Sequence, residues 1–302
     1  MSSNNKWTIE NIPNMSGKVV IITGANSGIG FEASRALALH GATVIMACRN
    51  LEKGQIAVQQ ILEQQPSGQV ILERLDLADL SSVQDFAAKF LAQVDRLDIL
   101  INNAGVMATP YRKTTDGFEL QFGTNHQGHF KLTALLIDRL QNTPNSRVVT
   151  VSSNAHLLGR INFDDLNADK SYQKWLAYGQ SKLANVLFGY ELQRRSARDG
   201  RNPISVVAHP GYAATNLQHT TSFFSFLNPL MAQSPQMGAL PILYAATSPE
   251  IQGGEYIGPD GFLGQHGYPH KATSSRSSHD QNTAEQLWKV SEQLTATPFN
   301  LQ

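Results

Sequence analysis

The chain has 302 residues, with 24 basic and 24 acidic side chains and a formal net charge of zero, which excludes the basic surface expected of a nucleic-acid-binding protein. Hydrophobic residues make up 41% of the chain and charged residues 16%, a balance that predicts a folded protein with a sizeable core. The only cysteine, Cys48, cannot form an internal disulfide, which fits a reducing compartment.

The N-terminal residues 1–14 are polar and lack the basic, apolar and small-residue layout of a signal peptide. No stretch approaches the roughly 18 continuous apolar residues that a transmembrane helix needs. From these two features we expect a cytoplasmic protein without a transmembrane segment.

Strand and helix patterns alternate along most of the chain and predict an α/β fold with a single doubly wound parallel sheet and helices on both faces. Strands are predicted near 18–23, 42–48, 69–73, 97–102, 146–152, 203–208 and 255–257. Helices are predicted near 28–40, 51–64, 80–93, 117–141, 172–199 and 235–247. We expect one domain, with a core from about 18 to 257, an N-terminal extension over 1–14 and a C-terminal part over 264–302.

The C-terminal part is predicted to end in one more helix, near 283–294, opened by a capping box of Asn282 and Glu285. The Ser/His/Asp-rich residues 273–282 before it read as a flexible linker. The side chains expected to dock this helix on the domain are Ala284, Leu287, Trp288, Ser291 and Leu294.

A glycine-rich turn joins the first predicted strand to the first predicted helix. The apolar, β-branched run 18–23 leads into Gly24-Ala25-Asn26-Ser27-Gly28-Ile29-Gly30 and then into helical residues 31–40. Such a turn lets the backbone and a helix N-terminus approach a pyrophosphate. The spacing Gly-x-x-x-Gly-x-Gly differs from the commonest dinucleotide motif, and a tight turn of small packing residues is the plain alternative.

The choice between NAD and NADP depends on residues about 20 positions after these glycines, where NAD-binding folds carry a carboxylate. Here the chain reads Cys48-Arg49-Asn50, without an acid. Arg49 could pair with a 2′-phosphate through charge-assisted hydrogen bonds, or it could be an ordinary exposed loop charge. We therefore predict NADP as the cofactor.

The run Tyr178-Gly179-Gln180-Ser181-Lys182 places a phenol and an ammonium on one helix face, about a turn apart. A free tyrosine has a pKa of about 10, and a nearby cation should lower it. A proton donor and acceptor tuned in this way suits carbonyl–alcohol interconversion.

Taken with further motifs in the same order, these residues resemble the short-chain dehydrogenase/reductase family over roughly residues 18–257. The further motifs are Asp76, Asn102-Asn103-Ala104-Gly105, Asn125, Ser152-Ser153 and Pro210-Gly211. The resemblance is closest to the retinol dehydrogenase-like reductases, and it implies a Rossmann fold. The similarity to these reductases rests on three segments: Ala47-Cys48-Arg49-Asn50, Asn125-His126-Gln127-Gly128-His129-Phe130 and His209-Pro210-Gly211.

The resemblance implies the roles of the catalytic residues. Tyr178 would be the general acid in reduction and the base in oxidation, and Lys182 would lower its pKa and hold the nicotinamide ribose. Ser153, rather than its neighbour Ser152, would hydrogen-bond the substrate oxygen. Asn125 would hold the water chain that resupplies the proton, unless it is a buried polar residue that satisfies helix backbone.

The resemblance also implies which residues contact the cofactor. Asp76 with Leu77 would contact the adenine, although Asp76 could equally serve as a helix cap or turn residue. The whole predicted cofactor set is Gly24, Asn26, Ser27, Gly28, Ile29, Gly30, Arg49, Asn50, Asp76, Leu77, Asn102, Ala104, Gly105, Tyr178, Lys182, Pro210, Gly211 and Thr215.

Four histidines raise the question of a metal site: His126, His129, His156 and His209. His126 and His129 are three residues apart on a predicted helix, but no acidic or cysteine partner lies at ligand spacing nearby. Packing or surface roles are favoured, and no metal is predicted.

The substrate pocket is expected outside the carboxyl ends of the strands, with walls after Gly105, around 156–175 and over 216–233. The last segment is rich in apolar residues, namely Phe223, Phe224, Phe226, Leu227, Leu230 and Met231. It suits a lipophilic carbonyl such as a retinal-like aldehyde, but a homo-oligomer contact or a peripheral membrane contact would need the same residues. Two other functions stay open: a non-catalytic NADP-sensing or scaffolding protein, and a steroid or protochlorophyllide reductase.

Overall fold

A computed structural model describes residues 6–198, 202–212 and 233–301. Its sheet has eight strands in the order β3-β2-β1-β4-β5-β6-β7-β8, and every neighbouring pair is parallel except β7 with β8. The strands are β1 (Val19–Thr23), β2 (Thr43–Cys48), β3 (Gln69–Arg74), β4 (Ile99–Asn102), β5 (Arg147–Val151), β6 (Ile204–Ala208), β7 (Tyr256–Pro259) and β8 (Pro269–Ala272). The predicted fold class, a doubly wound α/β sheet, is confirmed.

Helices cover both faces of this sheet. They are α1 (Gly28–Leu39), α2 (Leu51–Leu62), α3 (Leu80–Gln93), α4 (Leu120–Phe122), α5 (Gly128–Gln141), α6 (Lys174–Ala197), α7 (Pro235–Thr247) and α8 (Gln281–Thr295). Successive residues of β1 serve opposite faces, because side chains alternate along a strand. Ile22 packs in the cluster that includes Leu37 of α1 and Leu243 of α7, whereas Ile21 packs in the cluster that includes Phe130 of α5 and Trp288 of α8.

The strand order reverses between β1 and β4, and this reversal positions the candidate site. The register of Ile21 illustrates it: this residue pairs with Ile45 of β2 on one side and with Leu100 of β4 on the other. The crossover after β1 leads away from β4, so the two carboxyl ends leave a crevice between their loops. In open α/β sheets a ligand binds at such a point.

The predicted helix over 117–141 is interrupted. Residues 117–119 are not helical, because the Glu119 carboxylate accepts hydrogen bonds from the amides of Gln121 and Phe122 (2.9 and 2.7 Å) and so caps α4. A π-helical segment, Gly123–Gln127, then joins α4 to α5. The predicted strand and helix positions elsewhere differ from the structure by a few residues at the ends.

Two expectations about the C-terminal part are wrong. Residues 273–282 are not a loose linker, since they contain a 3₁₀ turn (Arg276–His279) with Ser278 buried. The last helix begins at Gln281 and is capped by Asp280, whose carboxylate accepts from the amides of Asn282 and Thr283 (3.0 and 3.2 Å). An ionised carboxylate two residues upstream therefore replaces the predicted capping box.

Strand β8 was not predicted at all. Pro269-His270-Lys271-Ala272 contains no β-branched residue and no apolar alternation, and the strand forms only as an edge antiparallel to β7. A proline at the start of an edge strand removes no ladder hydrogen bond. Its pairing with β7 is a tertiary effect that the local pattern does not show.

Helix α8 docks on the domain through four of the five predicted side chains, namely Ala284, Leu287, Trp288 and Ser291; the fifth, Leu294, was wrongly predicted, since it lies on the exposed side of the helix. Trp288 is the centre of the contact. The indole is 2% exposed, stacks on Phe188 with ring centroids 5.7 Å apart, and contacts Phe299 at 4.4 Å. The Arg195 guanidinium lies 4.4 Å from the indole ring. Because Phe188 and Arg195 belong to α6, the C-terminal helix braces the helix that carries Tyr178 and Lys182.

Replacing Trp288 by alanine should lower the free energy of unfolding by about 3–5 kcal/mol, because it opens a cavity in this aromatic cluster. The matched control is Leu294→Ala on the same helix, where the side chain is 38% exposed and the loss should stay below about 1 kcal/mol. Urea denaturation of the two variants makes the comparison. Equal losses would contradict the assignment of Trp288 as the anchor.

Candidate active site

A cavity of about 480 Å³ opens at the carboxyl ends of β1 to β6 and collects most of the predicted site residues. The predicted residues that line it are Gly24, Asn26, Ser27, Gly28, Ile29, Gly30, Arg49, Asn50, Asp76, Leu77, Ala104, Gly105, Ser153, Tyr178, Lys182, Pro210 and Gly211. Asn102 and Asn125 lie behind its wall, fully buried. Thr215 lies outside the described residues.

The glycine-rich turn is shaped so that only glycine fits at its two ends. Gly24 has φ +66°, and a Cβ there would lie 2.9 Å from Ala104 Cα. A Cβ on Gly30 would lie 2.4 Å from the carbonyl oxygen of Gly24 and 2.6 Å from Asn103 Nδ2. The loop after β1 therefore packs directly on the loop after β4, which leaves a smooth backbone wall along the cavity.

The backbone amides at the N-terminus of α1 are hydrogen-bond donors in this wall. Ser27 is the N-cap, but its side chain makes no capping hydrogen bond, so it gives no acceptor to the first-turn amides of α1. Free amides and the positive end of a helix dipole bind phosphate oxygens. The residues present thus fit the pyrophosphate of a dinucleotide.

Thr23, at the end of β1, ties together the backbone beneath the cavity. Its hydroxyl oxygen accepts from the amides of Asn103 and Ala104, each at 2.9 Å, and lies 2.9 Å from His129 Nε2. His129 Nδ1 contacts the carbonyl oxygen of Asn125 (2.9 Å), which can only accept, so Nδ1 carries the proton and Nε2 accepts from Thr23. One hydroxyl thus links β1, the loop after β4 and the π-helical segment.

Two cations stand at the far end of the cavity. Arg49 follows β2, and Lys53 lies in the first turn of α2; both are exposed and both line the cavity. Asn50 between them accepts from the amide of Lys53 (2.8 Å) and caps α2. Lys53 was missed from the sequence, although its place four residues after Arg49, near a helix start, was a usable signal.

Asp76 acts as a turn residue in the structure. Its carboxylate accepts from the amide of Ala78 (3.0 Å), while Asp79 caps α3 through the amides of Ser81 and Ser82. Asp76 and Leu77 still line the cavity at the end of β3.

Tyr178 and Ser153 face each other at the other end of the cavity. The phenol is 6% exposed. Burial raises the pKa of Tyr178 to about 12, and a hydrogen bond with the Ser153 side chain opposes this rise. The direction is opposite to the lowering that the sequence predicted from Lys182, because desolvation disfavours the phenolate.

Of the two adjacent serines, Ser153 is the one beside the tyrosine. The Ser152 hydroxyl instead donates to the carbonyl oxygen of Lys182 (2.8 Å) and is fully buried. Neighbouring side chains at a strand end point to opposite sides, which explains why only one of the two serines faces the tyrosine.

Lys182 is buried beneath Tyr178. Its Nζ lies 5.7 Å from the phenol ring centroid and donates to the carbonyl oxygen of Val151 (3.2 Å). Burial lowers the pKa of Lys182 to about 8. The ammonium of Lys182 is therefore a stronger acid than that of an exposed lysine.

Asn125 sits in the π-helical segment and fastens the backbone after β4. Its Nδ2 donates to Val106 O (3.0 Å) and Ser181 Oγ (2.9 Å), and its Oδ1 accepts from the amide of Val106 (2.8 Å). π-Helical turns occur often at functional sites. The backbone that Asn125 satisfies is that of Val106 in the loop after β4, not that of a helix, and its contact with Ser181 places it against the helix of Tyr178 and Lys182.

Comparison with known proteins identifies this arrangement. Residues 18–223 match the family model described as short chain dehydrogenase. The chain belongs to the short-chain dehydrogenase/reductase family.

Within this family the chain is similar to retinol dehydrogenases. It is 43% identical to retinol dehydrogenase 11 of Homo sapiens over 287 residues, covering 94% of this chain and 87% of the relative. It is 44% identical to retinol dehydrogenase 12 of Mus musculus over 283 residues, covering 92% and 86%. A crystal structure of an uncharacterized protein from Mycobacterium Paratuberculosis superposes with a TM-score of 0.83 at 46% identity, covering 97% of this chain and 99% of that one. The predicted resemblance is confirmed.

Two glycines set the spacing between the serine and tyrosine of this short-chain dehydrogenase. The 3₁₀ turn Asn154–Leu158 follows Ser153 and packs on α6. A Cβ on Gly159 would lie 2.3 Å from the carbonyl oxygen of Gly179, the residue after Tyr178, and one on Gly179 would lie 3.0 Å from Ala155 O. Backbone meets backbone here, so the hydroxyls of Ser153 and Tyr178 are held by main-chain packing.

Each of the four histidines has its own buried environment. Burial is the main cause that lowers the pKa of His126 to about 3, of His129 to about 4 and of His209 to about 3. His126 contacts Ser291 Oγ of α8 (2.9 Å). Within the described ranges, no group of three or more His, Cys, Asp or Glu residues is placed to hold a metal ion.

Most of the predicted apolar wall over 216–233 lies outside the described residues; only Gln233 is inside them. This leaves untested the predicted wall residues Phe223, Phe224, Phe226, Leu227, Leu230 and Met231. In the part of the chain that the structure covers, no helix is both long enough and apolar enough to cross a membrane.

Proposed function

We propose that this chain is an NADP(H)-dependent oxidoreductase that interconverts a lipophilic carbonyl and its alcohol, with Tyr178 as the proton donor. Membership of the family supports an oxidoreductase acting on alcohol and carbonyl groups. The observation that carries the proposal is the buried Tyr178, hydrogen-bonded to Ser153 and underlain by Lys182, at one end of a cavity whose other end presents phosphate-binding groups.

NADPH, when bound, supplies the hydride for the carbonyl carbon. The chain's own contribution is to stabilise the charge that develops on the substrate oxygen. The hydroxyls of Tyr178 and Ser153 are two donors held in a buried site, where such hydrogen bonds are stronger than in water. With a pKa raised to about 12, Tyr178 keeps its proton at neutral pH and is ready to donate it.

Lys182 is suited to restore that proton. Its pKa, lowered to about 8, lies below that of Tyr178, so an ammonium at this position is the stronger acid of the two. A tyrosinate formed by reduction would therefore be reprotonated at the expense of Lys182. The residue would also hold the nicotinamide ribose, as Arg49 and Lys53 would hold the 2′-phosphate at the opposite end.

Lipophilic substrates are supported by the relatives and by the residues near the serine. The similar proteins carry the name retinol dehydrogenase. Leu157 and Leu158, in the turn after Ser153, are 61% and 69% exposed, and Phe262 and Leu263 are 76% and 73% exposed. Asn154 Nδ2 donates to the carbonyl oxygen of Leu263 (3.2 Å), so Leu263 lies beside the turn that follows Ser153.

The cofactor assignment predicts tighter binding of NADPH than of NADH. Losing one charge-assisted contact to the 2′-phosphate costs roughly 1.5–3 kcal/mol, so Arg49→Ala or Lys53→Ala should weaken NADPH binding by about 10- to 150-fold and leave NADH binding almost unchanged. Titration calorimetry with both nucleotides measures this. The control is Lys289→Ala, an exposed lysine on α8, which should change neither affinity. Equal wild-type affinities for the two nucleotides would refute the assignment.

The catalytic assignment predicts that Tyr178→Phe, which removes only a hydroxyl, lowers turnover of an apolar aldehyde by roughly 10²-fold or more while NADPH binding survives. Lys182→Ala should impair both turnover and NADPH affinity. Stopped-flow absorbance for NADPH oxidation and calorimetry for binding separate the two effects. Turnover of Tyr178→Phe within a factor of a few of wild type would exclude Tyr178 as the acid. A wild type that binds NADPH but reduces no carbonyl in a broad panel would favour a sensor.

A further inference from the structure

His156 lies directly behind Ser153, inside the turn Asn154–Leu158, and its side chain is 2% exposed. Its Nδ1 is 2.7 Å from the carbonyl oxygen of Ser153. Its Nε2 accepts from the backbone amide of Ser275 (3.1 Å), in the segment that follows β8. The imidazole therefore spans from the proposed substrate-binding serine to the C-terminal part of the chain.

These two contacts fix the tautomer. A carbonyl oxygen can only accept and a backbone amide can only donate, so Nδ1 carries the hydrogen and Nε2 carries the lone pair. Burial lowers the pKa of His156, which keeps the ring neutral and the arrangement intact near pH 7. A protonated ring would place an N–H at Nε2 against the N–H of Ser275.

The ring is supported from behind by two more aromatic groups. Tyr256 of β7 lies with its centroid 5.4 Å from that of His156 and its hydroxyl oxygen 3.4 Å from Nδ1, a longer contact than that of the Ser153 carbonyl, and His209 stacks on Tyr256 at 5.3 Å. His209 Nδ1 accepts from the amide of Gly211 (3.3 Å), which lines the cavity. The ring stack thus backs both the serine turn and the loop after β6.

We propose that His156 is a positioning residue for Ser153 through its Nδ1–H, which holds the serine carbonyl together with the His156 backbone amide (3.0 Å), while the Ser275 amide at Nε2 sets the tautomer that presents this donor. The Ser153 hydroxyl accepts from the amide of Ala155 (3.2 Å) within the same turn, so fixing the turn fixes that hydroxyl opposite Tyr178. The effect of this positioning on turnover rests on the proposed function.

The tautomer is tested without any turnover. Nitrogen NMR of ¹⁵N-histidine-labelled protein should show His156 as the neutral Nδ1–H form at pH 7, identified by the loss of one signal in His156→Asn. The amide of Ala155 should exchange slowly with solvent. Observation of the Nε2–H form in the wild type would overturn the proposal, whatever reaction the protein catalyses.

Two variants of His156 each remove one of its two hydrogen bonds and keep the other. His156→Asn retains an N–H near Nδ1, and His156→Gln retains an oxygen near Nε2 but loses the donor to Ser153. If the donor positions Ser153, His156→Gln should lower kcat by about 10- to 100-fold, the scale of a misplaced group, and speed exchange of the Ala155 amide. His156→Asn should stay within about threefold of wild type, and KM and NADPH affinity should change little in both.

The control is His40→Gln, because His40 Nδ1 also contacts a backbone carbonyl of its own turn, Ala36 O at 2.7 Å, at the far end of α1. It should leave kcat unchanged. A wild-type kcat in His156→Gln, or equal losses in the two His156 variants, would refute the positioning role. If the wild type turns over no carbonyl, the proposed function fails, and the tautomer and amide exchange alone decide the role of His156.

Discussion

The hydroxyl of Thr23 is the interaction on which the candidate site depends. The strand order turns back at β1 and β4, and besides this hydroxyl the loops after these two strands are held by their glycine contacts and by Asn103 Nδ2, which donates to the carbonyl oxygen of Thr23 (2.8 Å). Thr23 accepts from the amides of Asn103 and Ala104 and donates to His129, which in turn donates to the carbonyl of Asn125. The glycine wall, the loop after β4 and the π-helical segment are thereby fixed relative to one another. Thr23 and His129 themselves are buried, where hydrogen bonds gain strength from the low dielectric.

Burial then decides the proton chemistry at the other end of the cavity. It raises the pKa of Tyr178 and lowers that of Lys182, because each neutral form is easier to keep out of water than its charged form. The tyrosine is consequently a proton donor and the lysine a group that can lose its proton near neutral pH. The packing of Trp288 and Phe299 on Phe188 braces α6, the helix that carries both the tyrosine and the lysine.

The sequence predicts the parts of this protein in which a local pattern and a buried environment agree. Strand β1 and the turn from Gly24 to Gly30 are examples, since an apolar run and glycine spacing are sufficient to indicate them. Strand β8 and the Asp280 cap were missed because tertiary pairing and a competing carboxylate decide them. The pKa direction of Tyr178 was predicted wrongly because spacing reveals the nearby cation but not the depth of burial. Lys53 was missed because the choice between NAD and NADP was made from the three residues about 20 positions after the glycines, where Arg49 is the only charged side chain.

The central claim is that the hydroxyls of Tyr178 and Ser153 act as one unit on one oxygen. A double-mutant cycle in kcat with NADPH and an apolar aldehyde, using Ser153→Ala, Tyr178→Phe and the double variant, tests it most directly. Groups that act as a unit give grossly non-additive losses, so we expect the double variant to be little worse than the poorer single variant. Losses that multiply, so that the double variant is impaired by the product of the two single effects, would contradict the account.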